Sequence, residues 1–385
     1  MHNMSKSIRL NRPQIGGQHR RAQLIAAIAD LSVISSLLTL YGKNGSRTQR
    51  YSSKTWCIFG ALCALFAVSC GSPSSSPPLP SRTPLPETTM ITTPIRSAGC
   101  GKPVPTPPGS SVIETVLSGG LTRTYLLHVP SGYQANSSEA VILNFHGHGS
   151  NAIRQERRSG MSLLADQQGF LAVYPQGVVG PDGRTGWATG LRGRPQVNDV
   201  LFVSDLLNHL QDILCIDPLR IYATGFSNGG GMTNVLACTL AGRLAAFAPV
   251  SGSYPPYPGG CHPVRPVPLL EFHGTSDPIV PYNGSVSKRL PPILAWLQGW
   301  ATRDGCTMGP TVFYKQANVT GLEWTHCQGN ATVVHYRIQG EGHRWPSITF
   351  KEPGGTTGTI GKALSASALI WSFFQQHPLP GLVSK

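Results

Sequence analysis

The sequence predicts an α/β domain: a mostly parallel β-sheet with helices on both faces and an N-terminal β-hairpin. Three observations predict it. Short apolar runs closed by turn residues recur along the chain, namely "AVILNFHG", "FLAVYPQG", "RIYATGFS", "LAAFAPVSG", "VPLLEFHG" and "TVVHYRIQG". Strands buried on both faces need such continuous runs rather than alternating ones. Between most of them lie stretches of helical periodicity, at 154–168, 199–214, 230–240 and 293–303, with a last one at 363–376. Strand and helix therefore alternate, as parallel crossover connections require. Finally, "SVIETVLSGGLTRTYLLHVP" is two strand-like runs joined at Gly119-Gly120, a hairpin pattern. In a sheet of this kind, functional groups belong at the carboxyl ends of the strands.

The first hundred residues read differently. Of the formal charge of +14 on 385 residues, residues 1–69 supply +8, from nine Lys/Arg against one Asp, leaving +6 for the rest. That remainder has no basic run interleaved with aromatics, which argues against a nucleic-acid partner. Arg50 and Lys54 precede "WCIFGALCALFAVSC", an apolar run of signal-peptide length that is short for a membrane span. Ala67-Val68-Ser69 ahead of Cys70 resembles the lipobox of bacterial lipoproteins, with Ala67 where Leu is usual. The resemblance implies lipidation of Cys70, a surface location, and membrane contact only through that anchor. The alternatives are a plain secretory signal and an uncleaved anchor. The stretch before Arg50 is too long for a signal's basic region, so translation is expected to begin nearer residue 50; otherwise the apolar run from Ala22 to Tyr41 is a second membrane-active segment. Residues 71–97 are rich in Pro, Ser and Thr with almost nothing to bury, as in an extended tether. The expected divisions are a leader at 1–69, a lipidated cysteine and tether at 70–98, and a folded domain at 99–385.

Nine cysteines become six once Cys57, Cys63 and Cys70 are given to the signal. An even number in an exported domain suggests disulfides. Spacing favours Cys306 with Cys327 and Cys238 with Cys261, which leaves Cys100 with Cys215; the alternative is that one or more are buried free thiols. No CxxC or HExxH is present, so no metal is expected.

Chemistry concentrates at "IYATGFSNGGG". A strand-like run leads into Gly225-Phe226-Ser227-Asn228-Gly229 and then a helical stretch, the order of a nucleophile elbow, in which a tight reversal lifts the serine above the sheet edge. A serine hydroxyl needs a base oriented by a carboxylate. His343, in "QGEGHRWP" directly after a strand-like run, is the best-placed imidazole. His335 falls within the strand, as a residue of the sheet surface, while His326 abuts Cys327 and His377 follows the last helix. Asp277, just beyond "LLEFHG" and held by Pro278 and Pro281, is preferred over Glu271 within the strand and over Glu341, too near His343. The chain order Ser227, Asp277, His343 is that of α/β-hydrolases. Oxyanion stabilisation takes two backbone amides, assigned to Asn228 and to His148 in the His146-Gly147-His148-Gly149 loop. Trp187 and Trp345 fall on loops expected to border the site, as stacking partners for substrate or as loop packing. Asp199 is expected to cap the helix that follows it.

Taken together, "GFLAVYPQG", "NDVLFVSDLL", "IDPLRIYATGFSNGGGM", "AAFAPVSG", "PLLEFHGTSDPIVPYNG" and "GEGHRWP" resemble the exported esterases of polyhydroxybutyrate depolymerase or feruloyl esterase type, grouped with the first carbohydrate esterase family. The resemblance runs from about Cys100 to His377. It implies a carboxylic-ester hydrolase without a cofactor, with Ser227, Asp277 and His343 in the triad roles, acting on polymer-linked or oligomeric esters. Glu341 and Arg344 depart from the small or hydroxyl residues common around that histidine. The competing readings are a serine peptidase and a non-catalytic ligand-binding lipoprotein.

Overall fold

A computed structural model of the chain describes residues 96–190, 197–347 and 364–381. The signal run, Cys70 and most of the tether lie outside the described residues.

The chain enters its sheet through β1 (Ser110–Ser118) and β2 (Leu121–Val129), paired antiparallel with Ser118 opposite Leu121. Gly119 and Gly120 make the two-residue turn at φ 54° and 79°, the doubly left-handed geometry that matches strand twist and that side chains disfavour. Next come β3 (Glu139–Phe145), α1 (Ala152–Ser159), α2 (Met161–Gln168), β4 (Phe170–Pro175) and a small hairpin of β5 (Val178–Val179) with β6 (Thr185–Gly186). After α3 (Asp199–Ile213), β7 (Ile216–Phe226) leads into α4 (Asn228–Thr239). β8 (Phe247–Val250), β9 (Leu269–Gly274), α5 (Ile293–Arg303), β10 (Met308–Gln316), β11 (Val319–Thr325), β12 (Val333–Ile338) and α6 (Ala366–Gln375) complete the described elements.

The strands form one ten-stranded sheet in the order β1-β2-β4-β3-β7-β8-β9-β12-β11-β10. From β4 through β12 every neighbour pairs parallel, while β2 joins β4, and β11 and β10 close the other edge, antiparallel. Alternation along the strands feeds two cores. Val141, Leu143 and Phe145 belong to one, with Leu206, Leu236 and Trp300; Ala140 and Ile142 belong to the other, with Phe170, Phe272 and Phe374. A sheet covered on both faces explains why its central strands are apolar at almost every position.

All three expected disulfides are formed: Cys100–Cys215, Cys238–Cys261 and Cys306–Cys327. The first closes a long loop, fastening the start of the domain to the end of α3.

Three expectations change. The single helical stretch 154–168 is two helices, broken at Gly160 in the left-handed region. The helix of 199–213 is capped by Asn198, whose side-chain oxygen accepts from the Leu201 amide at 2.9 Å; Asp199 instead forms a buried ion pair with Arg123 at 2.9 Å. The β10–β11 edge is an addition to the expected strands, since β10 is exposed along nearly its whole length and carries no apolar run to mark it.

Candidate active site

The strand order reverses direction at β3: the chain runs from β3 to β4 on one side, then returns to place β7 on the other. A crevice opens beyond the carboxyl ends of such strands. Phe145 of β3 is level with Gly225 of β7, so the loops that follow both strands meet there.

The loop after β7 is the elbow. Ser227 sits at φ 57°, ψ −117°, an unfavourable conformation for a residue with a side chain, and is half-buried as the N-cap of α4. The surroundings admit no bulk beside it. A Cβ on Gly225 would lie 2.5 Å from the Gly229 oxygen, and one on Gly229 only 2.1 Å from the Phe145 oxygen. Backbone therefore packs against backbone on both sides of the serine, which is why glycines crowd it. Two bonds fix the turn: the Ser227 amide donates to the Val250 oxygen at 3.0 Å, and the Gly231 amide to the Ser227 oxygen at 3.0 Å.

The loop after β3 lies directly against the serine, since a Cβ on Gly147 would be 3.3 Å from Ser227 Cβ. His146 is fully buried and braces this loop. Its Nδ1 donates to the Gly147 oxygen at 2.8 Å, and its Nε2 accepts from the Gly177 amide at 2.9 Å. His148 follows, with its exposed ring 2.7 Å from Asp182. Ser227 thus has the Asn228 main chain directly after it and the loop of Gly147 against its side chain.

The loops after β9 and β12 bring the other two groups. Asp277 is buried, and its Oδ1 accepts from the amides of Ile279 and Val280, both at 2.8 Å, so its other oxygen is aimed away. Oδ2 meets Nδ1 of His343 at 2.7 Å. Burial works against the Asp277 charge, but hydrogen bonds from His273 and His343 and the Val280 amide outweigh it and hold the carboxyl well below its usual range. The two loops are joined, with the Ser276 amide donating to the Glu341 oxygen at 2.9 Å. Ser251, at the end of β8, ties the imidazole's loop toward the elbow by donating to the Arg344 oxygen at 3.0 Å. The His343 ring lies 4.7 Å from the ring of Phe226, the residue before the serine. Among the described residues Asp277 and His343 are hydrogen-bonded, while no such bond reaches the Ser227 hydroxyl; in unliganded sites that contact commonly tightens only with substrate.

Two expected substrate contacts are corrected. Trp187 is buried, with only 3% of its surface exposed, because its indole N–H donates to the His146 oxygen at 2.8 Å and its ring packs edge-on against Phe145. Its own amide donates to the Asn228 side chain at 2.8 Å, and that side chain donates in turn to Thr189 at 3.1 Å. Trp187 is therefore a brace between the elbow and the neighbouring loop. Trp345 is likewise buried, its indole bonded to Ser367 of α6 at 3.1 Å. His335, read as a residue of the sheet surface, is fully buried. No local pattern marks these braces, since a loop tryptophan reads alike whether it faces solvent or packing.

No family model matches the chain. The chain is similar to feruloyl esterase B of Piromyces equi, 31% identical over 274 residues, 67% of this chain and 46% of that one. It is also similar to a bifunctional acetylxylan esterase/xylanase of Neocallimastix patriciarum, 28% identical over 270 residues, 69% of this chain and 35% of that one. Feruloyl esterase C of Emericella nidulans is 31% identical over 201 residues, 50% of this chain and 66% of that one. The chain thus spans less than two thirds of the length of each. The strand order, with a strained serine between β7 and α4 and an acid and an imidazole beyond β9 and β12, is that of an α/β-hydrolase fold.

Proposed function

We propose that the chain is a serine carboxylic-ester hydrolase working through an acyl-enzyme, with Ser227 as nucleophile, His343 as base and Asp277 as the group that orients it. The observation that carries this reading is the Asp277–His343 hydrogen bond of 2.7 Å beside a serine held at φ 57°. Binding alone requires neither a strained serine nor a buried carboxylate aimed at an imidazole.

His343, with Nδ1 committed to Asp277, has Nε2 left to take the Ser227 proton as the hydroxyl attacks the ester carbonyl. The amides of Asn228 and His148 stabilise the tetrahedral oxyanion. The imidazolium returns its proton to the departing alcohol, and water activated by the same ring releases the acid. No step calls for a cofactor.

The substrates we favour are feruloyl or acetyl groups on plant polysaccharide, because relatives similar to this chain are named for those esters. Hydroxybutyrate oligomers are the second substrate class, from the resemblance of the sequence blocks. We further propose that the chain is exported and held at the cell surface by lipid on Cys70; the three disulfides support export.

Hydrolysis of p-nitrophenyl acetate by the wild type and by Ser227→Ala tests the reaction, and equal rates would end the reading. Rates on methyl ferulate, acetylated xylan, a hydroxybutyrate oligomer and a peptide amide separate the ester classes from a peptidase.

A further inference from the structure

Behind the Asp277–His343 pair lies a buried cluster that the mechanism leaves unused. Glu271 and His273 of β9, His335 of β12, and Tyr254 and Tyr282 from two loops all have at most 8% of their surface exposed. His273 Nδ1 is 2.8 Å from Glu271 Oε1, and its Nε2 is 2.9 Å from the Val280 oxygen and 3.4 Å from Asp277 Oδ2. Both ring nitrogens thus face oxygen acceptors. A neutral imidazole has one N–H, so its second nitrogen would point a lone pair at an oxygen; only the doubly protonated ring satisfies both sides.

His335 provides the contrast. Its Nδ1 lies 2.8 Å from Glu271 Oε2, with the N–H aimed at the Glu271 main-chain oxygen 3.3 Å away, while its Nε2 is 2.9 Å from the Tyr282 hydroxyl, which can donate. One N–H suffices there.

We propose that His273 is a positioning residue for the Asp277–His343 pair: an imidazolium clamped between Glu271 and Asp277 that fixes the direction and charge of the Asp277 carboxylate and restrains the basicity of His343. Burial opposes a charge on His273, but Glu271, then Asp277 and the Val280 oxygen, outweigh it and push its pKa up to about 10. Burial likewise works against the Glu271 charge, which His273 and His335 more than offset, so its pKa falls. The groups facing His273 and its partners are Glu271 from β9, Asp277 and the Val280 carbonyl from the following loop, Tyr282 at 6.0 Å between rings, Tyr254 through Glu271 at 3.3 Å, His335 through Glu271, and His343 through Asp277. Removing Glu271's charge leaves His273 neutral, with its hydrogen bonds intact if glutamine replaces the acid. The positive end of the cluster, the end nearer His343, then disappears, and the His343 cation becomes easier to form.

The inference rests on the esterase reading for its kinetic arm alone. In the full chain labelled with 15N-histidine, with His273→Gln used for assignment, the wild-type His273 ring is expected to carry both protons through pH 8. In Glu271→Gln it is expected to be neutral at pH 8, with the His343 pKa raised by about half a unit or more. The acid limb of kcat/KM for p-nitrophenyl acetate should move up by the same amount with KM little changed, which a merely structural contact would not produce. A neutral His273 in the wild type at pH 7 overturns the proposal without recourse to a variant. So does a His343 titration that stays put or falls in Glu271→Gln. A chain that hydrolyses no ester yet keeps His273 doubly protonated sinks the esterase reading and leaves this one standing.

Discussion

Replacing Gly229 by alanine sets two effects against each other. Near the start of α4, alanine favours helix by at most about 1 kcal/mol over glycine. The added methyl, however, would lie 2.1 Å from the Phe145 oxygen and 2.6 Å from the His146 oxygen. Ordinary contact is 3.4 Å, so the end of β3 must retreat by about 1.3 Å. Overpacking of this kind destabilises by about 1–3 kcal/mol, and here the neighbour is main chain with no rotamer to escape to. The expected sum is a loss of about 1–2 kcal/mol in urea unfolding at unchanged m. The displaced backbone is the loop carrying His146 and His148, and a shift of about 1 Å at a catalytic group is able to reduce rate by about 100-fold. Gly299→Ala on α5 is the control, because a Cβ there meets nothing within 4 Å. That change should stabilise by about 0.5–1 kcal/mol without altering p-nitrophenyl acetate hydrolysis. If Gly229→Ala stabilises as Gly299→Ala does, the close backbone approach at the elbow is wrong, and with it the argument for the glycine crowding.

Asp304 is fully buried, with one oxygen accepting from the Val267 amide at 2.9 Å and the other without a hydrogen-bond partner among the described residues, and burial raises its pKa to about 6 despite that bond and Arg303 and Arg265 nearby. A raised folded pKa means that its contribution is fully present below about pH 4 and is lost as pH rises through about 6. Asp304→Asn should therefore stabilise the domain at pH 8 by up to about 3 kcal/mol and flatten the stability profile between those values, as read by urea unfolding across pH. Trp187→Phe removes the bond to the His146 oxygen; we expect kcat to fall with the ratio of methyl ferulate to acetyl ester rates unchanged, whereas a substrate-stacking role would change that ratio. Asp277→Asn should reduce kcat by about 10⁴ with little effect on KM, since the imidazole loses its orienting charge. Replacing Cys100 and Cys215 together by serine should lower stability by about 2–5 kcal/mol in chemical denaturation, the range expected for a native bridge, here across 115 residues.

The parallel strands were legible because each is buried on both faces and writes an uninterrupted apolar run; β4 and β9 are buried at every position. The positions we propose for the triad stand out in the sequence because short-range turn chemistry marks them: glycines at Ser227, prolines after Asp277 and glycines before His343. What stayed hidden depends on contacts far apart in sequence. Asp199 looked like a cap, but its partner Arg123 lies 76 residues away. His335 sits opposite Glu271 across two strands that no local pattern links. For Trp187 and Trp345 the sequence leaves stacking and loop packing open, because loops usually run over the surface; each indole has a hydrogen-bond partner beneath it. The edge strand β10 has no buried face, so it lacks the periodicity that marks a strand.

If Ser227 is an activated nucleophile, a fluorophosphonate should react with it, and peptide mass spectrometry of the treated chain locates the adduct. We expect one modification, on Ser227, strongly slowed in His343→Gln and absent in Ser227→Ala. Labelling at another serine, or at Ser227 with the same rate when His343 is replaced, would overturn the proposed chemistry.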